Sequence, residues 1–183
     1  MSSSAVTPGS VVVRPARAGD IPGITRIYAA AVLHGTATFD VVPPADATMA
    51  QKLNELAAGG FPYLVAERDG GLAGYAYAGP FRLREAYAST VEDSVYIAED
   101  ARGIGVGKLL LRELVSACTA LGFRSMLALI GDSGSAASIG LHRACHFDPA
   151  GVLRGVGYKH GRWLDVVLME RALGPGTSAS PTR

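Results

Sequence analysis

The chain has 183 residues, nearly half of them hydrophobic and 18% charged, with a formal net charge of +1. That length suits one domain with a real core and leaves little room for a second. A near-neutral balance supplies no broad field for nucleic acid or an acidic membrane surface, and no stretch approaches the roughly 18 apolar residues of a spanning helix, so a soluble cytoplasmic protein is expected.

Residues 1–10, MSSSAVTPGS, lack the charged and apolar regions of a signal peptide and read as a flexible tail. Val11 to Val13 make a β-branched run ended by Pro15, and Asp20 with Pro22 then marks a helix start. That helix carries Ile24, Ile27, Tyr28, Ala31 and Val32 on one face until Gly35. A second helix is predicted over Asp46 to Leu56, between Pro43-Pro44 and Gly59-Gly60. Tyr63 to Glu67 and Leu72 to Ala78 flank Arg68-Asp69-Gly70-Gly71, whose Asp-Gly pair signals a hairpin. Gly79-Pro80 breaks the second strand, a charged loop spans Arg82 to Glu85, and Thr90 to Ile97 alternates as a longer strand.

DARGIGVGKLLL, Asp100 to Leu111, leads into a helix from about Val106 to Leu121, stopped by Gly122. Ser125 to Ile130 is a continuous apolar strand, Ala136 to Cys145 a shorter helix, and Gly151 to Tyr158 with Trp163 to Met169 two strands around Lys159-His160-Gly161-Arg162. Residues 173–183 read as a second polar tail, leaving a domain over 11–172. Cys118 and Cys145 lie in apolar patterns without metal-ligand spacing and are expected to be buried thiols. The order β-α-α-β-β-β-α-β-α-β-β implies an α/β fold: a mixed sheet with helices on both faces.

The glycine stretch Arg102-Gly103-Ile104-Gly105-Val106-Gly107 admits two explanations. Tight packing of the turn is one. The other is close approach of backbone N–H groups to an anion at a helix N-terminus. A Walker loop is excluded because Leu109 follows Lys108, and a dinucleotide-binding loop because hairpin strands precede the stretch and its spacing is GxGxG.

The stretch resembles the pyrophosphate loop of the GNAT acetyltransferases, and the element order fits that fold. TFDVVPP (Thr38 to Pro44), AYAGPFRLREAY (Ala76 to Tyr87), TVEDSVYI (Thr90 to Ile97), SIGLHRACHF (Ser138 to Phe147) and GYKHGRWLDV (Gly157 to Val166) are similar to the branch that acetylates phosphinothricin and methionine sulfoximine. The resemblance implies acetyl-CoA as donor with no metal, the pyrophosphate held by 102–107 with Lys108, and the pantetheine arm paired to the backbone of Val95, Tyr96 and Ile97. Ser135 and Ser138 would border that arm. Ser135 stands where the branch usually has Asn, and Cys145-His146-Phe147 where it has Leu-Gly-Phe or Leu-Gly-Tyr. The branch is commonly dimeric, which implies a homodimer in which Phe39 and Phe81 could complete a neighbour's pocket.

Transfer of acetyl from a thioester to an amine needs a base for the ammonium proton and a proton for the departing sulfur. Glu92, mid-strand, is the candidate base; adjacent Asp93 reads as a solvated strand carboxylate. His142 is the second candidate, as acid, as part of a water relay, or as a structural residue. Arg82 and Arg84 could hold a substrate carboxylate, with Phe81, Tyr87 and Thr90 lining the same pocket. Tyr28, Phe39, Lys159, His160 and Trp163 fall in family-like segments and rank behind these. The expected activity is N-acetylation of a small amino-acid-like amine. The alternatives are acetylation of another small amine or a peptide N-terminus, and a coenzyme A-binding module with little turnover.

Overall fold

The computed structural model describes residues 9–181, so residues 1–8 of the expected N-terminal tail lie outside it. In chain order the elements are β1 (Val11–Pro15), α1 (Ile21–His34), α2 (Asp46–Ala58), β2 (Tyr63–Arg68), β3 (Gly71–Pro80), β4 (Thr90–Ile97), α3 (Val106–Ala120), β5 (Ser125–Gly131), α4 (Ala136–Ala144), β6 (Asp148–Lys159) and β7 (Arg162–Ala172). This is the order that the apolar periodicity and the Gly and Pro punctuation predict. The seven strands form one sheet, β1-β2-β3-β4-β5-β7-β6. Among the described residues only β4 and β5 pair in parallel, as the β-α-β crossover through α3 requires.

Helices cover both faces, and strand alternation assigns each side chain to one of them. On β2, Tyr63 and Val65 join Ile24, Ile27 and Leu53 beneath α1 and α2, while Leu64 and Ala66 join Leu110, Leu111 and Leu114 of α3. The three leucines are fully buried, each contributing about 2 kcal/mol of apolar burial. Asp69-Gly70 and His160-Gly161 both take positive φ, the conformation of two-residue hairpin turns that matches the right-handed twist of the flanking strands.

Some local expectations give way to tertiary contacts. Asp20 does not cap α1 with its side chain; its carboxylate accepts from the Arg17 N–H and from both terminal nitrogens of Arg14 at 2.8 Å. Strands β6 and β7 run beyond the apolar stretches predicted for them. In the segment after β7, Leu173 is buried, its N–H donates to Arg124 O, and Arg124 Nη2 donates to Ser180 O.

The feature that positions the site is a fork in the sheet. The β4–β5 register runs from Thr90 opposite Ser125 to Asp93 opposite Ala128 and stops. Beyond it β4 continues to Ile97 paired only with β3, and β5 continues to Gly131 paired with β7. A wedge therefore opens at the carboxyl ends of two parallel strands, the usual place for a ligand in such sheets.

Candidate active site

Two connected hollows occupy this fork. The larger, about 630 Å³, runs from the glycine loop past Val95, Tyr96 and Ile97 to Ser135, Ser138 and Leu141. The smaller, about 250 Å³, lies at the vertex and is lined by Thr38, Tyr77, Glu92, Asp93 and His142 among others. Val95, Tyr96, Ser135 and Ser138 border both.

The glycines at the mouth of the larger hollow answer both explanations of their presence. Gly103 and Gly105 have φ of 77° and 91°, left-handed geometry that costs a side chain strain, and a Cβ at either would meet nothing within 4 Å. A Cβ on Gly107 would lie 3.2 Å from Leu141 Cδ2, so this glycine allows α3 and α4 to approach. The first turn of α3 holds no acidic residue and no side-chain cap; instead it has Lys108, with Arg102 just before it. Cations at the positive end of a helix dipole are unfavourable unless an anion is bound between them. The exposed donors, the two cations and the absence of side chains suit a pyrophosphate, and the fork beyond suits an extended arm seeking backbone partners.

At the vertex, alternation along β4 separates two acids. Glu92 lies on the α1 and α2 side and is half-buried; burial pushes its carboxyl up, the charges of Arg82 and Lys52 oppose that, and Asp93 adds to it. Tyr77, beside it, receives a hydrogen bond and a cation–π contact from Lys52. Asp93 lies on the α3 and α4 side and corrects the sequence expectation. It is buried, not solvated, with its Oδ2 3.1 Å from His142 Nε2. His142 Nδ1 lies 2.8 Å from the Ser138 carbonyl oxygen. Burial works against charging the ring, but Asp93 and the Ser138 carbonyl outweigh it and hold the imidazole above its ordinary range.

A strap after α1 closes the vertex. The Asp40 N–H donates to Thr38 Oγ1, and Tyr28 Oη bonds both Thr38 Oγ1 and Asp40 Oδ2; burial first, then Asp40, pushes the Tyr28 phenol up to about 12. Buried Lys159 donates to Thr38 O at 2.8 Å, and the His160 ring meets Gly35 O. Phe39 is engaged in its own chain: a Cβ on Gly157 would lie 2.2 Å from its ring. These family-like residues build the wall and had no local signal beyond the segments they sit in.

The loop predicted to grip substrate is only partly assembled. Arg82 stacks over Phe81 at 4.2 Å and is near enough to act on Glu92. Phe81 meets Tyr87 edge-on and bonds the Thr90 carbonyl through its N–H. Phe81, Arg82, Arg84, Tyr87 and Thr90 do not line the vertex hollow, and Arg82 and Arg84 are both exposed. Ile104 is exposed at 52% and Val106 is buried. His146 takes the left-handed φ of 61° that a glycine would favour, while Ser135 precedes α4 without capping it.

The comparisons agree with this geometry. Residues 13–168 match the model of the acetyltransferase (GNAT) domain. The chain is 53% identical over 169 residues to a phosphinothricin N-acetyltransferase of Alcaligenes faecalis, covering 92% of this chain and 86% of that one. It is 42% identical over 171 residues to an L-methionine sulfoximine/L-methionine sulfone acetyltransferase of Pseudomonas aeruginosa, covering 93% and 99%. A phosphinothricin acetyltransferase from Sinorhizobium meliloti, solved with AcCoA, superposes with a TM-score of 0.92 at 48% identity over 94% of each chain. The chain belongs to the GNAT family of acetyltransferases and is an N-acetyltransferase.

Proposed function

We propose that this enzyme acetylates the α-amine of a small amino acid of the phosphinothricin, methionine sulfoximine or methionine sulfone type. The observation that carries this reading is the forked hollow, with an anion cradle at its mouth and a half-buried carboxylate at its vertex. Acetyl-CoA supplies the thioester; residues 102–108 take its pyrophosphate and the unpaired edge of Val95 to Ile97 its arm. Glu92 removes one proton from the ammonium, directly or through water. The amine nitrogen then bonds the carbonyl carbon, the C–S pair leaves with sulfur, and the nitrogen gives a second proton to water. Sulfur takes up a proton on the wall that carries His142. One proton is released overall.

A thiol-release assay with phosphinothricin, methionine sulfoximine, methionine sulfone, simple amines and a peptide N-terminus tests the reading. Turnover confined to the amino-acid analogues is the expected result. Coenzyme A binding with no amine giving thiol would replace it with a binding module.

Arg82, not Arg84, is our candidate to hold the substrate carboxylate: both are exposed, and it is the charge of Arg82 that acts on Glu92. Arg82→Ala is expected to cost about 1.5–3 kcal/mol in kcat/KM for an acid substrate. The amide of the same substrate should lose far less. Equal losses would assign Arg82 to loop shape alone.

The protein is expected to be a homodimer. β6 is the edge of the sheet, and Val152, Leu153, Val156 and Tyr158 on it, with Trp163 on β7, are all exposed. An apolar edge of this length needs a cover, and a second copy of the same hairpin offers a self-complementary one. Sedimentation at micromolar concentration should give the dimer mass; an active monomer would remove this part of the proposal.

A further inference from the structure

The Asp93–His142 pair sits at the point where the sheet divides. Asp93 is the last β4 residue in register with β5, and His142 belongs to α4, which carries Ser138 along both hollows. The two side chains are 2% and 5% exposed and 49 residues apart in sequence.

The hydrogen bonds count the protons of the pair. The Ser138 carbonyl can only accept, so Nδ1 carries a hydrogen. Nε2 faces a carboxylate oxygen, so one more proton must lie between Nε2 and Oδ2. Asp93 Oδ1 is buried without a hydrogen-bond partner among the described residues, so the imidazole is the one group this carboxylate is bonded to there. With that proton on the imidazole, the ring presents two N–H groups that donate in opposite directions, to Ser138 O and to Asp93 Oδ2.

We propose that Asp93 is a positioning residue for acetyl transfer: through His142 it keeps a doubly protonated imidazole at the vertex of the fork and fixes α4 against β4 there. This rests on the proposed function only for where the thioester lies. The surroundings agree. On β4, Glu92 is the neighbouring acid, on the other side of the sheet. At the end of α4, the Cys145 thiol is pushed up by burial, with Arg112 and Lys108 of α3 and Arg171 of β7 opposing and Asp93 adding. Phe147 meets the ring edge-on at 5.0 Å and brings no charge. Burial opposes the charged ring, but the bond and charge of Asp93, with the Ser138 carbonyl, raise its titration above the ordinary imidazole range. The doubly protonated ring therefore persists to higher pH than in an ordinary imidazole and is lost as pH rises through that elevated value.

Asp93→Asn tests this without changing side-chain size. The amide can still donate to Nε2 but carries no charge, so the ring should become neutral with its hydrogen on Nδ1. Histidine ring NMR should show the His142 titration at lower pH in Asp93→Asn than in the parent. The alkaline limb of kcat should move down by a similar amount, with kcat at neutral pH falling roughly tenfold or more. His142→Gln should lose as much, and the double variant little further, because the two act as a unit. An unchanged ring titration in folded Asp93→Asn would overturn the pairing, and an unchanged kcat with an unchanged alkaline limb would overturn its role. A protein that binds acetyl-CoA but acetylates none of the amines would refute the proposed function alone, since the ring titration reads the pair without turnover.

Discussion

Glu92→Gln is expected to slow the chemical step by roughly 10²–10⁴ at neutral pH, the usual contribution of a positioned general base. Acetyl-CoA binding should be retained, because Glu92 lies at the vertex and not along the hollow that leads to the glycine loop. In the parent enzyme the rate should climb as pH rises through the elevated Glu92 value. In the variant it should climb only at the higher pH where solvent deprotonates the amine. A stability effect of opposite sense should accompany this. Burial raises the Glu92 carboxyl above its unfolded value, so the folded state is penalised once pH exceeds that value and the group must ionise. Glu92→Gln removes the penalty. The variant should melt higher than the parent at neutral pH, with the advantage shrinking as pH falls toward the unfolded carboxylate range. A flat tenfold rate loss at every pH, with no gain in Tm, would show that Glu92 positions the amine without acting as a base.

The second large effect is at the loop. Gly105→Val is expected to weaken coenzyme A roughly 10- to 10³-fold, the loss of one or two charge-assisted hydrogen bonds. Its Cβ would enter open space beside the anion cradle. The backbone there is left-handed, so the variant should also lose about 1–2 kcal/mol of stability or more. Gly70→Val separates the two consequences. Gly70 has a similar φ of 80° and equally open surroundings, but it lies in the β2–β3 turn and lines neither hollow. Both variants should lower Tm comparably, and only Gly105→Val should lower coenzyme affinity. Equal affinity in the two would return the loop to a packing role.

The elements were legible because their signals are local. Asp69-Gly70 specifies its own turn, Gly122 stops its own helix, and the leucines of α3 show their face by spacing alone. Glu92 could be named because it lies in a motif. Asp93 could not, although it is the next residue. Which side of a strand is sealed depends on what covers it, and its cover, α4, comes 49 residues later. The same distance problem hides the wall built by Lys159 on Thr38, 121 residues apart. The segment after β7 has the composition of a tail, while Leu173 at its start is buried and bonded to Arg124 O by contacts that composition does not record. The loop expected to grip substrate was legible as composition only; that Arg82 stacks on Phe81 and acts on Glu92 is recorded by no motif.

If the donor's arm lies along the fork in the sheet, the donor becomes part of the architecture. Residues 94–97 of β4 have backbone partners on β3 but none from β5, so half of their amide and carbonyl groups are left to water. An arm lying there would act as an eighth, removable strand, and its binding energy would be folding energy as well. At a hundredfold excess over its Kd such a ligand adds about 2.7 kcal/mol to the native state, a substantial share of the total for a domain of this size. The amide hydrogens along that edge of β4 should then exchange with solvent quickly in the bare protein and slowly in the loaded one. The cell's supply of acetyl-CoA would thereby govern how long the enzyme lasts as well as how fast it turns over.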